Sequence, residues 1–160
     1  MELKKFEDLK IRDIDGDELS LEEFILFCKK EMERGLKVYV GSDSQTFYSK
    51  VSMVTAVCVH HPSKGANAFY VKQKVSKDLF PTLKSRMMAE LFCSINAGFM
   101  LQDRLGVLPE IHIDIGSDPN KCKTFPFKKE FLSIIHGQGF VGKAKPDGWA
   151  SSVADWFTKT

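Results

Sequence analysis

Glu110-Ile-His-Ile-Asp-Ile-Gly116 alternates isoleucine with charged, polar or small residues, the period of a β-strand, and carries a carboxylate, Asp114, near its end. Lys37-Val-Tyr-Val-Gly-Ser-Asp43 has the same design and closes on Asp43. Carboxylates are depleted in strands and costly to bury alone, so two at equivalent strand exits predict a shared cation that neutralises both. Alternation puts His112, Asp114 and Gly116 on one side of their strand and Ile111, Ile113 and Ile115 on the other. Tyr39, Gly41 and Asp43 likewise share a side, and Gly41 and Gly116, without side chains, leave room for a ligand near the backbone.

Working outward, Ser52 to His60 and Ala66 to Val75 are rich in β-formers, and Pro62-Ser-Lys-Gly65 between them is hairpin chemistry. Leu83 to Leu101 carries Met88, Leu91, Phe92, Ile95 and Phe99 at helical spacing. A helix from Phe127 to His136 closed by Gly137, a strand from Phe140 to Lys145 and a last helix from Trp149 complete the order β-β-β-α-β-α-β-α. Helical crossovers make the first, fourth and fifth strands parallel and the short links make the second antiparallel. The expected fold is therefore α/β, a five-stranded mixed sheet with helices on both faces. In such sheets ligands sit at the carboxyl ends of the parallel strands, and the adjacent first and fourth strands make Asp43 and Asp114 neighbours.

Ahead of this sheet, Ser20-Leu-Glu-Glu23 reads as a capping box opening an amphipathic helix that stops at Gly35, so residues 1–36 are expected to form a helical extension. Asp13-Ile-Asp-Gly-Asp-Glu18 resembles a calcium loop but fails at Ile11 and Glu18, and reads as a solvated turn. The length of 160 residues, with 43% hydrophobic and 28% charged, suits a single domain spanning 1–160. A net charge of +2 neither demands nor excludes a polyanionic partner. The charged N-terminus lacks the apolar core of a signal peptide and no run reaches a membrane span, so a cytoplasmic location without membrane contact is expected. Cys28, Cys58, Cys93 and Cys122 form no C-x-x-C pair and read as reduced thiols, Cys58 as core filler.

The long helix offers a third acid: on the stripe Leu83, Met87, Glu90, Ser94, Ala97 and Leu101, Glu90 alone is charged. It pairs either with the shared cation or with Arg86 one turn earlier. A fourth comes from the exit of the last strand. Asp147 sits there and is equally an ordinary N-cap, whereas Asp155 lies two turns further, about 12 Å along the helix at 1.5 Å per residue. Asp118 is a weaker candidate. Carboxylates without a histidine or cysteine cluster suit Mg²⁺ or Mn²⁺, and two such ions roughly 3.5–4 Å apart serve phosphoryl transfer. Ser44, Gln45, Lys145 and the run Lys121, Lys123, Lys128 and Lys129 could touch substrate phosphates.

Together Gly41-Ser-Asp-Ser-Gln45, His112-Ile-Asp-Ile-Gly116 and Lys145-Pro-Asp147 with Ala150-Ser-Ser152 resemble the YkuK-like family of uncharacterised bacterial proteins, within the ribonuclease-H-like superfamily. The resemblance spans Lys37 to Thr160 and implies Asp43, Glu90, Asp114 and Asp147 or Asp155 as metal-binding catalytic acids. It implies a Mg²⁺- or Mn²⁺-dependent nuclease acting on RNA, an RNA–DNA hybrid or DNA. The superfamily also holds silent members, so the alternative is a module that binds nucleic acid or a protein partner without cleaving.

Overall fold

Strand β3 (Lys37–Phe47) is the hub of the molecule, paired along its whole length with β4 (Lys50–His61) and, at its start, with β6 (Glu110–His112). The structure is a computed structural model that describes residues 2–61 and 65–159. Adding β5 (Gly65–Ser76) and β7 (Val141–Lys143), the five expected strands stand in the order β5-β4-β3-β6-β7, with β3, β6 and β7 parallel. The Pro62 to Lys64 part of the expected hairpin lies outside the described residues.

Among the described residues the sheet has seven strands rather than five, because the N-terminal extension supplies a hairpin as well as a helix. β1 (Ile11–Asp13) and β2 (Glu18–Leu19) pair with each other, and β1 joins β5. The expected solvated turn is the link of this hairpin. Asp13 Oδ1 accepts the N–H groups of Asp15 (2.9 Å) and Asp17 (3.0 Å), while Gly16 takes a left-handed φ of 88°. Strands of two and three residues are too short to show a period.

Helix α1 (Leu21–Met32) begins with the expected capping box. α2 (Leu83–Leu105) runs a turn beyond expectation, to Gly106 at φ 69°. α3 (Lys128–Gly137) and α4 (Ala150–Thr158) follow. One face of the sheet buries Val38, Val40, Val57, Phe69 and Ile111 with Phe24 of α1, Leu91 and Ile95 of α2 and Phe131 and Ile135 of α3. The other buries Val54, Ala56, Cys58 and Tyr70 with Ala150 and Ala154 of α4. Cys58 is core filler, its thiol pushed up to about 12 by burial.

Two local expectations are corrected. Asp43 lies inside β3, not at its exit, because pairing with β4 continues from Asp43↔Val54 to Phe47↔Lys50. The space above Gly41 belongs to the protein: a Cβ there would stand 2.3 Å from the Ser151 nitrogen and 2.5 Å from the Ala150 carbonyl carbon. Gly116 differs: it lines an open cleft, and a Cβ there would meet Cys122 at an ordinary 3.4 Å.

Candidate active site

Register assembles the centre. Pairing of Gly41 with His112 and of His112 with Lys143 runs two residues onward to align Asp43, Asp114 and Lys145 across neighbouring strands. Asp114 lies just past the β6 ladder, where Ile113 N–H donates to Lys143 O and Lys145 N–H to Ile115 O. The Lys145 ammonium stands 2.5 Å from Asp114 Oδ1. That hydrogen bond, reinforced by the charges of Asp114, Asp43 and Asp155, holds Lys145 above the ordinary lysine range.

Asp155 reaches the centre because α4 lies close to the sheet. Gly41 and Ala56 on the sheet meet Ala150 and Ala154 on the helix, so small residues face small residues. His112 fixes the start of the helix: its Nδ1 accepts the N–H of Trp149 (2.9 Å) and of Ala150 (3.0 Å), and its Nε2 lies 2.9 Å from Glu110 Oε1. Nδ1 is therefore the acceptor and Nε2 carries the proton. The far end is held by Phe157 stacked on Tyr70, centroids 3.8 Å apart, and by Thr158 Oγ1 donating to Gln45 Oε1 (3.2 Å). So seated, Asp155 hydrogen-bonds to the Asp43 side chain. Asp43 is only 8% exposed. Burial, then the Asp155 hydrogen bond and the charges of Glu90 and Asp114, raise its carboxyl to about 9.

Glu90 enters from α2, on the other face of the sheet, and is 4% exposed. Ser44 Oγ donates to its Oε2. One turn on, Ser94 joins a buried hydroxyl chain with Ser42 (2.7 Å) and Thr55 (2.8 Å from Ser42) that pins α2 to β3 and β4. Desolvation raises Glu90 to about 8, against the Ser44 hydrogen bond. Arg86 spends a hydrogen bond on Thr46 Oγ1 (2.7 Å) and acts on Glu90 as a nearby charge.

These groups floor an open cleft of about 630 Å³ lined by Asp43, Ser44, Glu90 and Asp114, with Arg86, Lys121, Lys123 and Lys145 as its cations. Asp118 and Cys122 line it too. Asp147 is exposed and is not among the lining residues, and it does not cap α4, whose N-cap is Trp149. Gln45 turns to α4, Lys128 sits over the Phe125 ring, and neither Lys128 nor Lys129 lines the cleft. Among the described residues, no three acid, histidine or cysteine side chains are grouped closely enough to hold an ion as they stand. Lys145 meets one oxygen of Asp114, Ser44 donates to one oxygen of Glu90, and Asp155 hydrogen-bonds to Asp43. The capping role of His112 and the cleft position of Arg86 escaped the sequence, whose one hint was that His112 shares a strand side with Asp114.

The chain is 25% identical over 155 residues to the uncharacterized protein YkuK of Bacillus subtilis (strain 168), a match covering 87% of this chain and 88% of that one. No solved structure matches it. A family model described as ribonuclease H-like matches residues 20–159, which takes in the four helices α1 to α4, strands β3 to β7, and Asp43, Glu90, Asp114 and Asp155. By that match the chain belongs to the ribonuclease H-like family.

Proposed function

We propose that the protein is a metal-dependent phosphodiester hydrolase acting on nucleic acid, with Asp43, Glu90, Asp114 and Asp155 as the residues that hold Mg²⁺ or Mn²⁺. The observation that carries this reading is the convergence of four carboxylates, from β3, α2, the end of β6 and α4, beside one cleft that also bears Arg86, Lys121, Lys123 and Lys145. The donor set fits a hard cation: it is all oxygen, and two of its members are buried acids with raised pKa values that a cation would return to the charged form. Asp147, exposed and off the cleft lining, is left out of the set, while Asp155, also off the lining, is kept for its hydrogen bond to Asp43.

When bound, such ions supply a water of lowered pKa and neutralise the leaving oxygen, most effectively as a pair. The chain's own groups do the rest. Arg86, Lys121 and Lys123 would bind the phosphate backbone; Ser44 orients Glu90; Gly41 and His112 hold α4 so that Asp155 meets Asp43. One observation favours a second reading, a silent module that binds nucleic acid: the Lys145–Asp114 ion pair already satisfies one acid without a metal.

Cleavage separates the two. Structured RNA, an RNA–DNA hybrid and single-stranded DNA are each incubated with Mg²⁺ or Mn²⁺. The expected result is cleavage of at least one, stopped by EDTA and by Asp43→Asn, with binding retained because neutralising a carboxylate lessens repulsion of phosphate. No cleavage above the Asp43→Asn control, with salt-sensitive binding intact, refutes the hydrolase and leaves the binding module.

A further inference from the structure

Lys145 is placed by the backbone. The two hydrogen bonds between the β6 exit and the β7 exit set it beside Asp114 on the side of the sheet that carries Asp43. Its ammonium, 2.5 Å from Asp114 Oδ1, also lies in the fields of Asp43 and Asp155. Carboxylates drawn together repel unless protons or positive charge sit among them. Asp43 and Glu90 are pushed toward their protonated forms, and for Asp114 the positive charge is a side chain.

A divalent ion binds carboxylate oxygen at roughly 2.1 Å, so an ion on Asp114 and an ammonium on the same carboxylate would be like charges a few ångströms apart. One of them has to leave. Lysine is suited to do so, being a point charge on a flexible four-carbon stem, and the Lys145 side chain is 40% exposed at the edge of the cleft.

We propose that the Lys145 ammonium is the resident cation of the acid cluster and that a divalent ion binds there by displacing it, so Lys145 sets the metal affinity of the site. This rests on the reading of the four acids as metal ligands. Once displaced, the ammonium stays within reach of the cleft it shares with Lys121 and Lys123.

Two measurements test this without turnover. In the first, free Mn²⁺ is followed by electron paramagnetic resonance while wild type, Lys145→Met and a net-charge control, Lys143→Met, are titrated. Lys145→Met is expected to bind Mn²⁺ about tenfold more tightly, within the usual range of coupling between sites, and Lys143→Met to stay within about twofold of wild type. Equal or weaker binding by Lys145→Met overturns the inference while leaving the metal reading in place. Absence of Mn²⁺ binding in both wild type and Lys145→Met overturns the metal reading, and this inference with it. In the second, which needs no variant to fold, acylation of Lys145 in the wild type is quantified by mass spectrometry with and without Mg²⁺, using Lys143 as the internal reference. Release from Asp114 should raise Lys145 reactivity several-fold, and unchanged reactivity at a Mg²⁺ concentration that saturates the site refutes displacement.

Discussion

Gly41→Ala tests the seat of α4 most directly. The added Cβ would stand 2.3 Å from Ser151 N, 2.5 Å from the Ala150 carbonyl carbon and 2.8 Å from Ser151 Cα. Carbon contacts are comfortable at roughly 3.5–4.0 Å, so helix and strand must part by about 1 Å or more. All three atoms are backbone, and no rotamer change relieves the clash. Overpacking costs about 1–3 kcal/mol, and this case belongs at the upper end. Loss of glycine's freedom in the unfolded chain returns about 0.5–1 kcal/mol. The net expectation is a loss of about 2 kcal/mol, or a Tm lower by roughly 4–8 °C for a chain of this size. Gly116→Ala is the control, since its Cβ would meet Cys122 at an ordinary 3.4 Å and should cost nothing measurable. Urea unfolding of both variants, with m-values compared, reads the difference. If Gly41→Ala matches Gly116→Ala within about 0.5 kcal/mol, α4 is not held against β3 as described, and the account of how Asp155 reaches Asp43 fails with it.

A second expectation concerns pH. Asp43 and Glu90 are raised on folding, so the folded protein holds protons that the unfolded chain releases above about pH 4. Their contribution is fully present below that pH and is lost as pH rises through about 8 for Glu90 and about 9 for Asp43; in EDTA, urea-unfolding stability should fall steadily from pH 5 to 9. Asp43→Asn should flatten the slope, and a slope identical to wild type would show that Asp43 is not the group responsible. At the other end of the site, His112→Ala leaves the N–H groups of Trp149 and Ala150 without their acceptor, which costs about 1–3 kcal/mol for each donor that stays dry. Faster hydrogen exchange at these two amides than at the α2 amides is the specific signature, and unchanged exchange would remove His112 from its capping role.

The sheet could be read because Glu110 to Gly116 alternates with a period of two and Ser52 to His60, buried on both faces, is a continuous run of β-formers, and α2 because Met88, Leu91, Ile95 and Phe99 recur at helical spacing. Strand ends could not, since Ser44 to Phe47 are mostly polar or half-exposed and stay in β3 through pairing with Lys50 to Met53. The choice between Asp147 and Asp155 was equally out of reach. It depends on the tilt and depth of α4, which Gly41, Ala56 and His112 set from strands far away in sequence. Spacing alone gave Asp147 the better position, and tertiary packing gave Asp155 the contact with Asp43. The Lys145–Asp114 pair likewise follows from the register of β6 against β7, which no local pattern encodes.

The scatter of the four acids along the chain also fixes when the cleft can come into being. Asp43 leaves the ribosome 112 residues before Asp155, a delay of roughly 6–22 s at about 5–20 residues per second. Through that interval β3, β4 and α2 can pair and bury Glu90 beside Ser44, but the partner of Asp43 is still unmade. On the proposed reading the site stays incomplete through that interval, and acquires its last carboxylate only when α4 settles over Gly41.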